Sequence, residues 1–227
     1  MKKYELTEEE RMLDGGAVVH RIRALRDIEL ADGEVVKKGD LGGWVGREGN
    51  LSQEGSAWVS GEAVVFGKAR VYEKAQVSGS AVVFGEAEVY GEAVVAENAE
   101  VYDEARVYGE ARVYGKAEVC EKARVYGEAE VYGEAAVYGE TEVSGFSQVC
   151  GEAEVCGKAR VCGKARVYGK AGVYGEARVC GTAVVCENAR VYDKAKVRGE
   201  AWIGGDAWVY GEADVGGKAQ IFGAERT

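Results

Sequence analysis

Six cysteines and one histidine are the residues of this chain with the sharpest chemistry, and their spacing poses the first question. The thiols are Cys120, Cys150, Cys156, Cys162, Cys180 and Cys186. Three of them recur every sixth residue, a spacing that by itself suggests a sulfur-ligated metal. The histidine, His20, stands a hundred residues before the first cysteine. No Ser-His-Asp grouping, phosphate-binding glycine motif or cluster of metal ligands accompanies it. Whether the thiols can meet depends on the elements that carry them.

Those elements repeat one phrase. An aliphatic residue falls at Val59 and at every sixth position through Ile221, 28 times in succession. Ala lies two residues before each, replaced only by Thr141 and Ser147. Gly lies two residues after, replaced only by Glu73, Glu97, Asp103, Glu121, Glu187 and Asp193. Residues two apart on an extended chain share a side, so Ala and Val point inward and the residue between them points outward. Gly supplies the positive φ of a tight corner. Longer echoes recur at multiples of 18, as in Ala63-Val-Val-Phe-Gly and its copy at Ala81. Three hexads therefore close one coil, and the expected solenoid has a triangular section, about nine coils and a length of ~45 Å.

At this point the chain resembles the left-handed parallel β-helix proteins, whose hexapeptide rule is an aliphatic residue preceded two positions earlier by a small one. That resemblance implies an all-β, left-handed parallel β-helix over residues 51–227, with residues 1–50 as a cap. The corners depart from the family, which places small or acidic residues where this chain has Tyr, Phe or Cys.

Coil geometry answers the metal question. Cys150, Cys156 and Cys162 fall on three different corners, separated by up to ~20 Å of chain, too far to share one zinc. Only Cys162 and Cys180 are vertical neighbours, at a spacing compatible with a disulfide. In a cytoplasmic protein both are expected reduced, as replacements for Tyr in a corner stack. Reading every eighteenth residue gives aromatic columns, one from Phe66 through Tyr210 and one from Tyr72 to Tyr126 that fades into Cys162, Cys180, Arg198 and Gly216. Such columns serve either stability or a partner that covers an apolar stripe. Charged columns such as Arg70, Glu88 and Arg106 read as a soluble face that guards against register slip. Phe146, at a position otherwise mostly charged, marks either drift or a contact point.

Residues 1–50 leave the phrase. Glu5 to Leu13 suits a short helical turn, while Val18–Leu25 and Glu34–Lys38 suit strands. A solenoid end exposes its core, so this segment is expected to cover the first coil with Ile22, Leu25, Leu41 and Trp44. Arg21-Ile-Arg-Ala-Leu, Gly39-Asp-Leu-Gly-Gly-Trp and Asn50-Leu-Ser-Gln, followed by Val-Tyr-Gly-x-Ala, resemble uncharacterised proteins of phages and prophages of gut bacteria. The resemblance implies an accessory protein in the bacterial cytoplasm and carries no catalytic residues.

Composition narrows the function. A net charge of −10 without a basic block disfavours nucleic-acid binding. No apolar run reaches membrane-spanning length, and Met1-Lys-Lys leads into Glu8-Glu9-Glu10 instead of an apolar secretory segment. Left-handed β-helices include acyltransferases and γ-class carbonic anhydrases, but those need wall histidines, and His20 lies in the cap. An ice-binding surface needs a Thr array, and only Thr7, Thr141, Thr182 and Thr227 exist. The expectation is a non-enzymatic interaction scaffold without cofactors, binding a host protein. The alternative is an inhibitor of host defence that occludes a host protein or sequesters a small nucleotide; a DNA mimic ranks below both. Self-association is expected through the last coils. There Trp202 and Trp208 point outward beside the corners Gly204-Gly205 and Gly216-Gly217, with Phe222 nearby, and a two-fold homodimer is the simplest outcome.

Overall fold

In the computed structural model, which describes residues 2–223, each hexad is a two-residue strand followed by a corner. The 28 strands run from Trp58–Val59 to Gln220–Ile221. Each pairs in parallel with the strand 18 residues away, as Val83 does with Val65 and Val101. Three ladders result, one per side, and the fold is an all-β parallel solenoid. We term the sides the first, second and third faces, carrying Val65, Val71 and Val77 respectively.

Burial follows the period of two. Ala129 and Val131 are wholly inside, as are their equivalents along most of the prism. The two replaced alanines also point inward. Ser147 satisfies its hydroxyl by donating to the Ser144 carbonyl at 2.9 Å, whereas the Thr141 hydroxyl is buried without a hydrogen-bond partner. Corners take the left-handed conformation expected of them. Gly133 has φ of 78°, and the six residues that replace Gly also sit at positive φ, between 57° and 61°. Their chemistry explains the exception. Glu73 accepts a hydrogen bond from the Gly91 amide one coil on, at 2.8 Å, and Asp193 does the same for Gly211 at 3.1 Å. A carboxylate thus offsets part of the backbone strain by pairing a corner N–H.

The solenoid has ten coils, one more than the hexads alone provide. The extra coil begins in the segment read as cap. Strand β5 (Leu41–Val45) pairs in parallel with Val64–Val65, and Leu51 bridges to Val71. Val45 and Leu51 are six residues apart, but eight separate Leu51 from Val59, so the first coil is out of phase with the rest. Gly43 stands where Ala would be, because a Cβ there would meet Val59 Cγ1 and the Ala63 carbonyl, both at 2.7 Å.

The other four N-terminal strands are β1 (Tyr4–Met12), β2 (Val18–Ala24), β3 (Ile28–Glu29) and β4 (Val35–Val36). The helical turn expected at Glu5 to Leu13 is instead β1, held extended by antiparallel pairing with β2. β2 in turn pairs antiparallel with β5, so the first coil's edge on this face is covered and β1 becomes the edge strand. Ile22 and Trp44 are buried as expected, but Leu41 is 50% exposed and Leu25 only half-buried. Tyr4 and Ile28 belong to the same core as the hexad valines.

Polar closure is as specific. The Tyr4 hydroxyl donates to the carbonyls of Leu51 and Glu48 at 2.8 and 2.9 Å, and Lys3 Nζ donates to the Ala57 carbonyl at 2.7 Å. A second clamp joins cap to repeat on the outside. Glu62 accepts from Trp44 Nε1 at 3.1 Å and from Arg21 and Arg11 at 2.9 and 3.3 Å, and both guanidiniums lie over the Trp44 ring. The Arg21 and Trp44 hydrogen bonds hold the Glu62 carboxyl below the usual carboxylate range.

Four outcomes follow for stability. Val131→Asp should unfold the chain at ordinary temperatures, since it buries an unpaired charge. At Gly133 a Cβ would lie 2.9 Å from the Gly151 amide, so Gly133→Val should lower Tm sharply, whereas Gly133→Asp should cost less by reaching that amide. Equal losses for Val and Asp would refute this account of the acidic corners. Thr141→Ala should raise Tm, by about 1 kcal/mol of stability, because it removes an unpaired hydroxyl. Burial, aided by nearby Arg26, lowers the Lys3 pKa from 10.5 to about 8. The unfolded chain therefore binds the extra proton between these values, and Tm should climb as pH rises from about 8 to 10.5. Lys3→Met should abolish the climb; an unchanged slope would exclude Lys3 as its source.

Candidate functional site

Outward residues form columns in contact. Phe66, Phe84 and Tyr102 stack at centroid spacings of 5.3 and 4.9 Å, and Tyr90, Tyr108 and Tyr126 at 4.9 and 5.0 Å. Desolvation in the stack pushes the Tyr72 hydroxyl up to about 12. These rings are half-buried against their neighbours along the axis, so little of each face is left to a partner. One column breaks. Tyr174 folds back over Gly172, where a Cβ would lie 2.2 Å from its ring, and its hydroxyl donates to Glu154 at 3.0 Å.

The cysteines occupy these same columns. Cys162 and Cys180 are joined by a disulfide with Cα atoms 4.7 Å apart, which corrects the expectation that both are reduced. Stacking one coil apart brings them within bonding geometry without backbone movement. Cys120 and Cys156 are free thiols, and burial pushes both up, away from nucleophilic thiolates. His20 lies in β2, with Nδ1 3.6 Å from a Glu10 carboxylate oxygen. Among the described residues no three His, Cys, Asp or Glu side chains are placed to hold a metal ion.

The C-terminal residues singled out as an interface divide between faces. Trp202 is on the third face, 42% exposed, tilted against Phe222 at 6.0 Å and donating to Cys186 Sγ at 3.2 Å. Gly204 is not a bare corner: it is buried, and a Cβ there would strike the Phe222 ring at 2.7 Å. Gly205 lies beside it, half-buried, its amide capped by Glu187. Trp208 is around that corner on the first face, edge-on to Tyr192 at 6.3 Å. Gly216 lies under the side chain of Arg198, which Asp214 holds at 2.6 and 3.2 Å, while Gly217 is exposed. Inward packing thins here, since Ala213, Val215 and Ala219 are only partly buried. Trp202, Gly204 and Phe222 thus form one patch, Trp208 flanks it, and Gly216-Gly217 belongs to a different corner.

A concave surface lies at the other end. The β3–β4 hairpin stands off the third face and encloses with it a cleft of about 820 Å³. Val35, Val36, Leu41, Val94 and Ala96 supply apolar lining. Carboxylates from both walls also line it: Asp32, Glu34 and Asp40 from the cap, and Glu92, Glu97, Glu110 and Glu130 from the coils, against the single guanidinium of Arg112. The sequence allows a concavity only at the cap junction or between protomers, and the cleft lies at the cap junction, with a lining that sequence reasoning did not name. A signal was available. The corner column of this face opens Ser60, Ser78, Ala96 before Tyr114, where the other two columns start at once with Phe66 and Tyr72. Small corners leave the space over which the hairpin hangs.

Among the described residues no helix is long and apolar enough to cross a membrane. No protein-family model matches the chain, and no curated protein matches it either.

Proposed function

We propose that the protein is a rigid, non-enzymatic scaffold that binds a protein partner. The observation that carries this reading is the unbroken ladder. From Trp58 to Ile221 every face continues without an inserted loop, so the prism offers long, rigid walls with one hairpin standing off them. Rigid surfaces bind without ordering cost, which suits a presenting element more than a reaction chamber. Sequestration of a nucleotide is the weaker reading, because the cleft's carboxylates repel phosphate. The hexad phrase supports left-handed winding, and the cap motifs support a phage or prophage accessory role in the bacterial cytoplasm. Self-association through the last coils rests on exposed Trp202 and Phe222 and on the thinning core beside them.

Native mass spectrometry of the chain purified from its host should show a copurifying protein; a bound nucleotide instead would favour sequestration. Acetyl transfer or CO₂ hydration that disappears in His20→Ala would overturn the non-enzymatic reading. Light scattering should give a dimer for the wild type and a monomer for the Trp202→Glu, Trp208→Glu double variant. A monomeric wild type, or a variant that stays dimeric, would sink self-association at this end.

A further inference from the structure

The capped end covers the outward residues of two faces to different extents. On the first face, outward Val64 is covered by the chain's own Val19 and Trp44, with Leu13 packed alongside. On the third face the corresponding space under the β3–β4 hairpin is the open cleft. There Val35 remains 45% exposed and Leu41 half exposed, although both line a concave wall. Exposed aliphatic groups facing a floor of Val94 and Ala96 call for apolar side chains between them.

Charge fixes the kind of partner. Seven carboxylates line the cleft against Arg112, and among the described residues only Glu92 of the seven is in an ion pair, with Lys74 at 2.7 Å. Asp32 and Asp40 additionally accept the hairpin's own amides of Glu34 and Lys37, at 3.0 and 2.8 Å, which fixes their carboxylates in place. Preset acidic walls around an apolar floor attract cations and reject anions before contact. No trio of these groups is close enough to hold a metal ion, so the charge is spread along the cleft. A spread of charges suits a chain with several cationic groups.

We propose that this cleft docks an extended segment of a partner protein in which Lys or Arg alternates with aliphatic residues. The aliphatic side chains enter between Val35 and Val94, and the cationic ones meet Glu34, Glu97 and Glu110. This rests on the scaffold reading and names the surface and the chemistry of the partner.

The probe is a fluorescent Lys-Val-Lys-Leu-Lys-Val-Lys peptide titrated with the full chain and followed by anisotropy. Binding should saturate and weaken as salt rises. Glu34→Lys with Glu110→Lys should weaken it about ten-fold, and so should Val35→Ser, with Tm unchanged in each. Glu176→Lys with Glu212→Lys, the same charge change elsewhere, should leave it unaltered. A Lys-Ser-Lys-Ser-Lys-Ser-Lys peptide and spermine should bind about ten-fold more weakly, since they lack apolar groups. Absence of saturation, equal loss in the distant double variant, or equal binding of spermine would each overturn the proposal. A partner protein that still copurifies with Val35→Ser at wild-type level would overturn this docking site while leaving the scaffold reading intact.

Discussion

Every residue of the prism stands on the residue eighteen positions later, and that register governs the rest of the molecule. Backbone amides along the coil donate to the carbonyls of the next coil, as Tyr108 does to Val125 at 3.0 Å. Because the ladder is parallel, the same outward position recurs in a line. Aromatic rings therefore stack face to face, and charges meet at fixed distances. Glu88 is held between Arg70 above and Arg106 below, the latter at 3.2 Å. A slip by one hexad would place every outward side chain over a different face's column. The Ala-x-Val phrase alone would not resist it, since all faces share it. The columns distinguish the faces and thereby fix the register.

The same register makes the ends special. An interior coil has neighbours on both sides, whereas the first would expose three strand edges and a core. Here the solution is chemical as well as steric. β2 covers one edge by antiparallel pairing, and Tyr4 and Lys3 supply hydrogen bonds to carbonyls that no preceding coil could pair. Lys3 is buried to do so, at the expense of its charge being poorly solvated, which its lowered pKa records. The last described coil is less well enclosed: Val215 and Ala219 are half-open where Val197 and Ala201 are fully buried.

Periodicity made most of this fold legible. Inward Ala and Val, left-handed Gly corners and the three faces all follow from the phrase, whereas the positive φ of the six acidic corners that break it is seen only in the structure. The first coil escaped because its phase differs: Gly43-Trp-Val45 and Gly49-Asn-Leu51 obey a small-x-aliphatic rule, but two extra residues before Val59 displace them from the count. β1 escaped for another reason. Its charged run has helix-forming composition, and only pairing with β2, a tertiary interaction, makes it extended. The disulfide is legible as an 18-residue spacing, whereas oxidation state follows compartment, which the hexads do not encode. Outwardness alone does not tell that a corner separates Trp202 from Trp208, or that Phe222 covers Gly204.

A repeat alone makes only open recesses along its corners, such as the one of about 700 Å³ beside Glu104, Lys122 and Glu140. A recess with a roof needs residues outside the phrase. The third face has such a recess. The hairpin β3–β4 is outside the phrase, and Ser60, Ser78 and Ala96 are the gap where bulky corner residues are withheld until Tyr114. On the first face the cap fills the space it covers, with Val19 and Leu13 against Val64. The cap thus does two jobs with the same few strands. It ends the ladder on one side, and on another it creates a recess between cap and wall, with acidic walls around an apolar floor. The uniformity of the walls ends beneath the hairpin, and there the surface differs most from the repeat in shape and charge.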